Sequence, residues 1–228
     1  MALPLIFLEF DDVIADTRAL RVAALRSALG AGGVSLTDDL YDASCAGLSF
    51  AAAARAACRA MRAETDETAL ELAALRADRE YAARTAQGLA LAAGAGAFLR
   101  GAAGAARLGV VTRSARRDVS LVLSLAGLDD AFECVVTEED YTGPEPSPEP
   151  FGHARMRLAR SAPGALAEGV ALVASLSAAT AARAARLQPI IVGRVAPPVA
   201  FAGDGWIETL EGVRVNDVMR IADGARAP

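Results

Sequence analysis

The chain has 228 residues, enough for one large domain or a core with a smaller companion, and its 23 basic and 28 acidic residues leave a net charge of −5. Every basic residue is an arginine, scattered among acids with no basic stripe and no aromatic interleaving, which excludes nucleic acid as an expected partner. Much of the apolar content is alanine, and the candidate uncharged stretch at residues 169–182 includes Ser175, Ser177 and Thr180, too short and too polar to cross a bilayer.

The chain opens on an apolar run with no basic segment before it and acids directly after it. A secretory signal is not expected, and the sequence reads as soluble and cytoplasmic. Residues 5–10 form the first predicted strand, ending in the carboxylates Glu9, Asp11 and Asp12. An apolar run that stops abruptly at clustered acids is how a buried strand delivers charge to a site. Residues 18–90 then hold no convincing strand. Helical patterns cover residues 18–29, 49–62 and 65–86, with a further short helix starting at Asp38 and Asp39. Residues 88–104, rich in glycine and alanine, contain a return hinge and a helix around Phe98 and Leu99.

From there strands and helices alternate. Strands are expected at residues 108–112, 132–137, 170–174 and 189–192, and helices at 116–128, 151–161 and 177–187. With the first strand this makes a five-stranded, doubly wound parallel sheet of the Rossmann-like α/β class, whose sites gather at the carboxyl ends of the strands. Residues 195–205 are loop-like, Trp206, Ile207 and Leu210 suggest a short edge element with the tryptophan packing there, and residues 213–221 close the chain as a helix.

Cys45, Cys58 and Cys134 are widely spaced with no CxxC pair, so reduced, packed thiols are expected rather than disulfides or zinc. His153 is the only histidine, which removes any histidine-rich metal site, and it lies in a helical stretch with no motif to support a Ser-His-Asp triad. Without lysine, no side-chain ammonium is available for catalysis.

Residues 6–17, Ile-Phe-Leu-Glu-Phe-Asp-Asp-Val-Ile-Ala-Asp-Thr, resemble the first motif of the haloacid dehalogenase-like (HAD) hydrolases, Asp-x-Asp-Gly-Val followed by Asp-Thr. The helical insert after the first strand resembles the cap of subfamily I, which includes phosphoglycolate phosphatases and beta-phosphoglucomutases. The resemblance implies a HAD-like core at residues 1–17 and 91–228, and a cap at 18–90 that closes over the site and selects the substrate. Gly47, Leu48 and Ser49 would face the cleft.

The family's four motifs then fall on particular residues. Glu9 stands where the nucleophilic aspartate would be, Asp11 at the general acid/base, and Asp12 at the motif's glycine. Thr112, ending Gly-Val-Val-Thr, matches the hydroxyl that binds phosphoryl oxygens, with Arg113 beside it. Ser114 is the better candidate to cap the following helix. The family's Lys-Pro-x-Pro turn is matched by Glu145-Pro146-Ser147-Pro148, so a carboxylate replaces a cation. At about 4 Å and an effective dielectric near 20, each charge pair is worth about 4 kcal/mol before screening. Val173, Ala174 and Ser175 align with the acids and serine that hold magnesium. The resemblance implies a Mg2+ cofactor, for which Glu9 and the Asp11 carbonyl are a poor cage, with Asp12 the one nearby acid that could compensate.

Two readings of function follow. In the first, the chain is a HAD-fold protein impaired or inactive as a phosphatase, its Glu9 a polar remnant paired with Arg113, acting through a protein partner. In the second, it is an active phosphomonoester hydrolase acting on a small phosphorylated metabolite. Glu9 would then attack, and Arg113, Arg116 or Arg117 would replace the lysine.

Overall fold

The computed structural model describes residues 3–143, 147–161, 169–194, 196–201 and 203–226. Glu145 and Pro146, the first half of its turn, therefore lie outside the described residues.

Six parallel strands form one sheet in the order β3-β2-β1-β4-β5-β6. They are β1 (Leu5–Glu9), β2 (Arg107–Val111), β3 (Cys134–Val136), β4 (Gly169–Val173), β5 (Leu187–Val192) and β6 (Gly205–Ile207). The edge element around Trp206 is thus a full sixth strand, one more than the five expected. Its Trp206 is partly exposed, and the indole N–H donates to the Gly193 carbonyl at 2.7 Å.

Helices cover both faces, which is why the strands are continuously apolar rather than alternating. On β1, Ile6 and Leu8 enter one apolar cluster with Phe98, Leu99, Val119 and Val218, while Leu5 and Phe7 enter another with Phe151, Leu158 and Ala182. The first cluster is covered by α5 (Ala95–Ala102), α6 (Arg116–Leu125) and α9 (Val215–Arg226), the second by α7 (Glu149–Ser161) and α8 (Leu176–Ala184). Leu187, expected to end a helix, begins β5 instead. It caps the second cluster at 3% exposure, and the αL turn before it falls on Arg186.

Between β1 and β2 the chain inserts four helices, α1 (Arg18–Gly30), α2 (Asp38–Ser44), α3 (Phe50–Met61) and α4 (Glu67–Thr85), with an apolar core of their own around Leu25, Tyr41, Ala54 and Tyr81. Ser49 and Asp66 cap α3 and α4 by accepting from Ala52 and Ala69 N–H, and Arg62 closes α3 in the left-handed conformation. Two short linkers join this helical cap to the sheet. They lie antiparallel, Ala92 N–H donating to Ile14 O and Asp16 N–H to Ala90 O, both at 2.9 Å.

Candidate functional site

β1 lies between β2 and β4, with Glu9 level with Val111 and Leu8 with Leu172. The ends of three strands therefore converge, bringing together Glu9, Asp11, Thr112, Arg113, Ala174 and Ser175.

Glu9 is buried, and both its oxygens are held from β4's end: Oε2 accepts from Ala174 N–H at 2.8 Å and Oε1 from the Ser175 hydroxyl at 3.3 Å. Ser175 also accepts from Ala178 N–H at 3.1 Å, capping α8. Burial pushes the Glu9 carboxyl up to about 8; the Ala174 N–H opposes this, and the charges of Asp11 and Asp12 add to it. The anticipated Glu9–Arg113 pair does not form. Arg113 instead stacks on Tyr141, 4.6 Å from the ring centre, and donates to the Ser147 carbonyl at 3.3 Å.

Asp11 faces the other way. Its Oδ2 accepts from the Thr112 hydroxyl at 2.9 Å and from Ser114 Oγ at 3.1 Å, and Arg21 Nη1 lies 3.5 Å from its Oδ1. Ser114 therefore does not cap α6. That place is taken by Glu139, whose carboxylate accepts from Arg116 N–H at 3.0 Å. Thr112 Oγ1 also accepts from Ser114 N–H at 2.9 Å, so its hydroxyl is committed in both directions.

Asp12 lines a cavity that it shares with Ala174 and Ser175, but its Oδ1 is directed to the start of α1. It adopts φ 62°, where the family's glycine would stand, and its Oδ1 accepts from Thr17 N–H, Thr17 Oγ1 and Arg18 N–H at 2.7–3.0 Å, capping the start of α1. Aspartate tolerates this left-handed conformation better than most side chains because it can bond to nearby backbone. Burial raises its carboxyl to about 6.

The sequence reading missed Arg21. It projects from α1 at 4% exposure. Nη1 donates to Ser114 Oγ at 3.2 Å and Nη2 to the Leu48 carbonyl at 2.7 Å, and the guanidinium carbon lies 4.6 Å from the Phe50 ring centre. A signal for it does exist: Arg21 shares the buried stripe of α1 with Val22, Ala24, Leu25 and Ala28, whereas Arg18 and Arg26 do not.

The cap presses close here. A Cβ on Gly47, at φ +74°, would stand 2.0 Å from Ser175 Oγ and 3.4 Å from Glu9 Oε1. Leu48 is buried, and Ser49 caps α3 rather than lining the cleft. What is left between Glu9, Thr112 and Arg113 is a cavity of about 20 Å³, room for a water molecule. A larger cavity of about 820 Å³ adjoins these strand ends, lined by Asp12, Asp16, Tyr41, Ala174, Ser175 and Arg194.

Magnesium wants about six oxygens in octahedral array. Val173 is fully buried in the apolar cluster under α7 and α8, and Ala174 contributes only its N–H. The oxygens of Glu9 and Asp11 are taken up as described, Asp11 beside a guanidinium. These donors do not fit the ion. Among the described residues no group of three or more His, Cys, Asp or Glu side chains is arranged to hold a metal. Among the described residues His153, on α7, meets the Asp140 carbonyl and Glu149.

A parallel sheet with acids at the end of its central strand and a helical cap inserted behind that strand defines the class: a capped, doubly wound α/β protein of the HAD-like fold. The chain belongs to the haloacid dehalogenase-like hydrolases, the family whose sequence model matches residues 6–169. Among solved structures it is similar to beta-phosphoglucomutase from Clostridium difficile, with a TM-score of 0.79, 14% identity and 98% of both chains covered. It is also similar to CbbY from Rhodobacter sphaeroides in complex with phosphate, with a TM-score of 0.76, 21% identity, and 96% of this chain and 100% of that one covered. A hydrolase from Pseudomonas syringae aligns with a TM-score of 0.71 and 18% identity over 96% of this chain and 90% of that one. A comparison with curated proteins found no match. No described helix is long and apolar enough to cross a membrane.

Proposed function

We propose that this chain is a HAD-fold protein that does not hydrolyse phosphomonoesters and works by binding, with a protein as its partner. The observation that carries the reading is the state of Glu9. A carboxyl whose pKa is pushed up to about 8 is mostly protonated at neutral pH, and a neutral acid is a poor nucleophile. Both of its oxygens are already held, and no carboxylate stands at Val173 or Ala174 to bring a metal beside it.

Asp11 supports the same conclusion. Its side chain is paired with Arg21 and accepts from the hydroxyls of Thr112 and Ser114, so it is already engaged on the side away from Glu9 and is poorly placed to serve a leaving group there. Arg116 and Arg117, the other candidates to replace the family's lysine, are engaged elsewhere, with Asp140 at 2.5 Å and Asp78 at 2.8 Å. Arg113 alone lines the small cavity with Glu9 and Thr112.

The test is initial-rate hydrolysis of a phosphomonoester panel, with and without magnesium, on the wild type and on Glu9→Ala. Flat rates from both proteins are expected. Turnover that needs magnesium and disappears in Glu9→Ala would overturn the proposal and establish a hydrolase of small phosphorylated metabolites with glutamate as its nucleophile.

A further inference from the structure

Arg21 belongs to the cap, yet the groups that receive its charge belong to the core. Its planar fork divides between them: Nη2 donates to Leu48 O in the cap at 2.7 Å, while Nη1 donates to Ser114 in the core at 3.2 Å and lies 3.5 Å from Asp11. The rings of Phe50 and Tyr81, on α3 and α4, stand 4.6 and 5.6 Å from the guanidinium carbon and to each other at 63°. The cap thus organises the guanidinium before the core receives it. A lysine could not do this, because a single ammonium has no second, fixed arm.

We propose that Arg21 is a bolt that holds the cap shut on the core, making the closed cleft the resting state and Arg21's release from Asp11 the step that opens it. The other ties across the seam are of a different kind. Arg117 to Asp78 is a 2.8 Å pair between side chains 58% and 36% exposed, where water competes. Gly47 against Ser175 is close packing without charge. Among the described residues only Arg21 places a buried charge across the seam, so its loss leaves Asp11 buried without that counter-ion. The inference deepens the proposed function, resting on it for the role of the cleft, and supplies the regulation of that same site.

The opening can be read without any reaction. Hydrogen exchange would be followed by mass spectrometry on the full chain, comparing the wild type with Arg21→Met. A second variant, Arg21→Met with Asp11→Asn, leaves no stranded charge and serves if the first does not fold. Exchange in segments 45–50 and 112–116, which face each other across the seam, should quicken on the order of a hundredfold, as expected when a buried pair is broken from one side. Segments 5–9 and 170–173 in the sheet should keep their wild-type rates. Equal seam exchange in wild type and variants would overturn the bolt. A uniform rise through the sheet would also overturn it, because Arg21 would then only support the fold as a whole. Phosphatase rates of the same variants bear on the proposed function and not on the bolt, so either can fail alone.

Discussion

Glu9→Gln should stabilise this protein, and increasingly so as the pH rises. The glutamine keeps the shape of the side chain, its oxygen can still accept from Ala174 N–H, and its amide can donate to Ser175. In the wild type the carboxyl titrates near 8 in the folded chain against an ordinary value of 4.5. Between those values the folded state holds a proton that the unfolded state has released, so stability is full below 4.5 and is lost as the pH rises toward 8. Each pH unit in that window costs about 1.4 kcal/mol, giving roughly 3 kcal/mol by pH 7 and about 5 kcal/mol by pH 8 as an upper figure. Against a typical total of about 5–15 kcal/mol, that is readily measured. Urea denaturation of both proteins at pH 5, 6.5 and 8 would show the two stabilities diverging. Asp12, raised to about 6, adds its own slope at the acid end, but it does so equally in both proteins and cancels in the difference. Parallel curves would refute the reasoning, for Glu9 would then be ionised in the folded state and available as a nucleophile.

Gly47→Ala must fit a methyl group 2.0 Å from Ser175 Oγ at φ +74°, and should cost about 1–3 kcal/mol in thermal denaturation; an unchanged Tm would contradict the seam's close packing. Asp12→Ala loses three hydrogen bonds at φ 62° and should cost about 2 kcal/mol. Asp12→Gly, which suits that backbone, should cost less, and the reverse order would show that the left-handed conformation carries no penalty there. Restoring the family pattern with Glu9→Asp, Glu145→Lys, Val173→Glu and Ala174→Asp should yield partial magnesium-dependent phosphatase activity, measured on the same ester panel. It should also lower stability, because residue 173 is wholly buried among apolar side chains. No gain in activity would count against the alignment of these positions.

The alternation of strands and helices was legible because each buried strand is a short apolar run bounded by turn residues, and the long helical stretch behind β1 interrupts that rhythm plainly. β6 was the weakest signal. Gly205, Trp206 and Ile207 make a strand only because β5 offers them its edge. The start of β5 was misplaced because Leu187 follows an alanine-rich helix without a break that sequence can show. The motif residues Glu9, Asp11, Thr112 and Ser175 were found from their places at strand ends, and the structure brings them together. Their pairing was not legible: Glu9 reaches across to Ala174 N–H, 165 residues away, a backbone group invisible to any motif. Arg21 was hidden for a related reason. Arginine on a helix is ordinarily a solvated residue, and only the partners contributed by distant loops turn its place on the apolar stripe into a buried site.

The central place of β1 bears on how the chain is made. Ile6 hydrogen-bonds into the sheet beside Leu108 on one side and Val170 on the other. At about 5–20 residues per second on the ribosome, the first strand waits roughly 5–20 seconds for one neighbour and several seconds more for the second. The four helices of the cap, α1 to α4, need no such delay, since they pack on one another. The nascent chain thus finishes its smaller part first, while its fully buried first strand is still without a sheet to join. Biosynthesis of this protein is therefore most exposed to aggregation during that interval, and a chaperone that shelters residues 5–9 would act there.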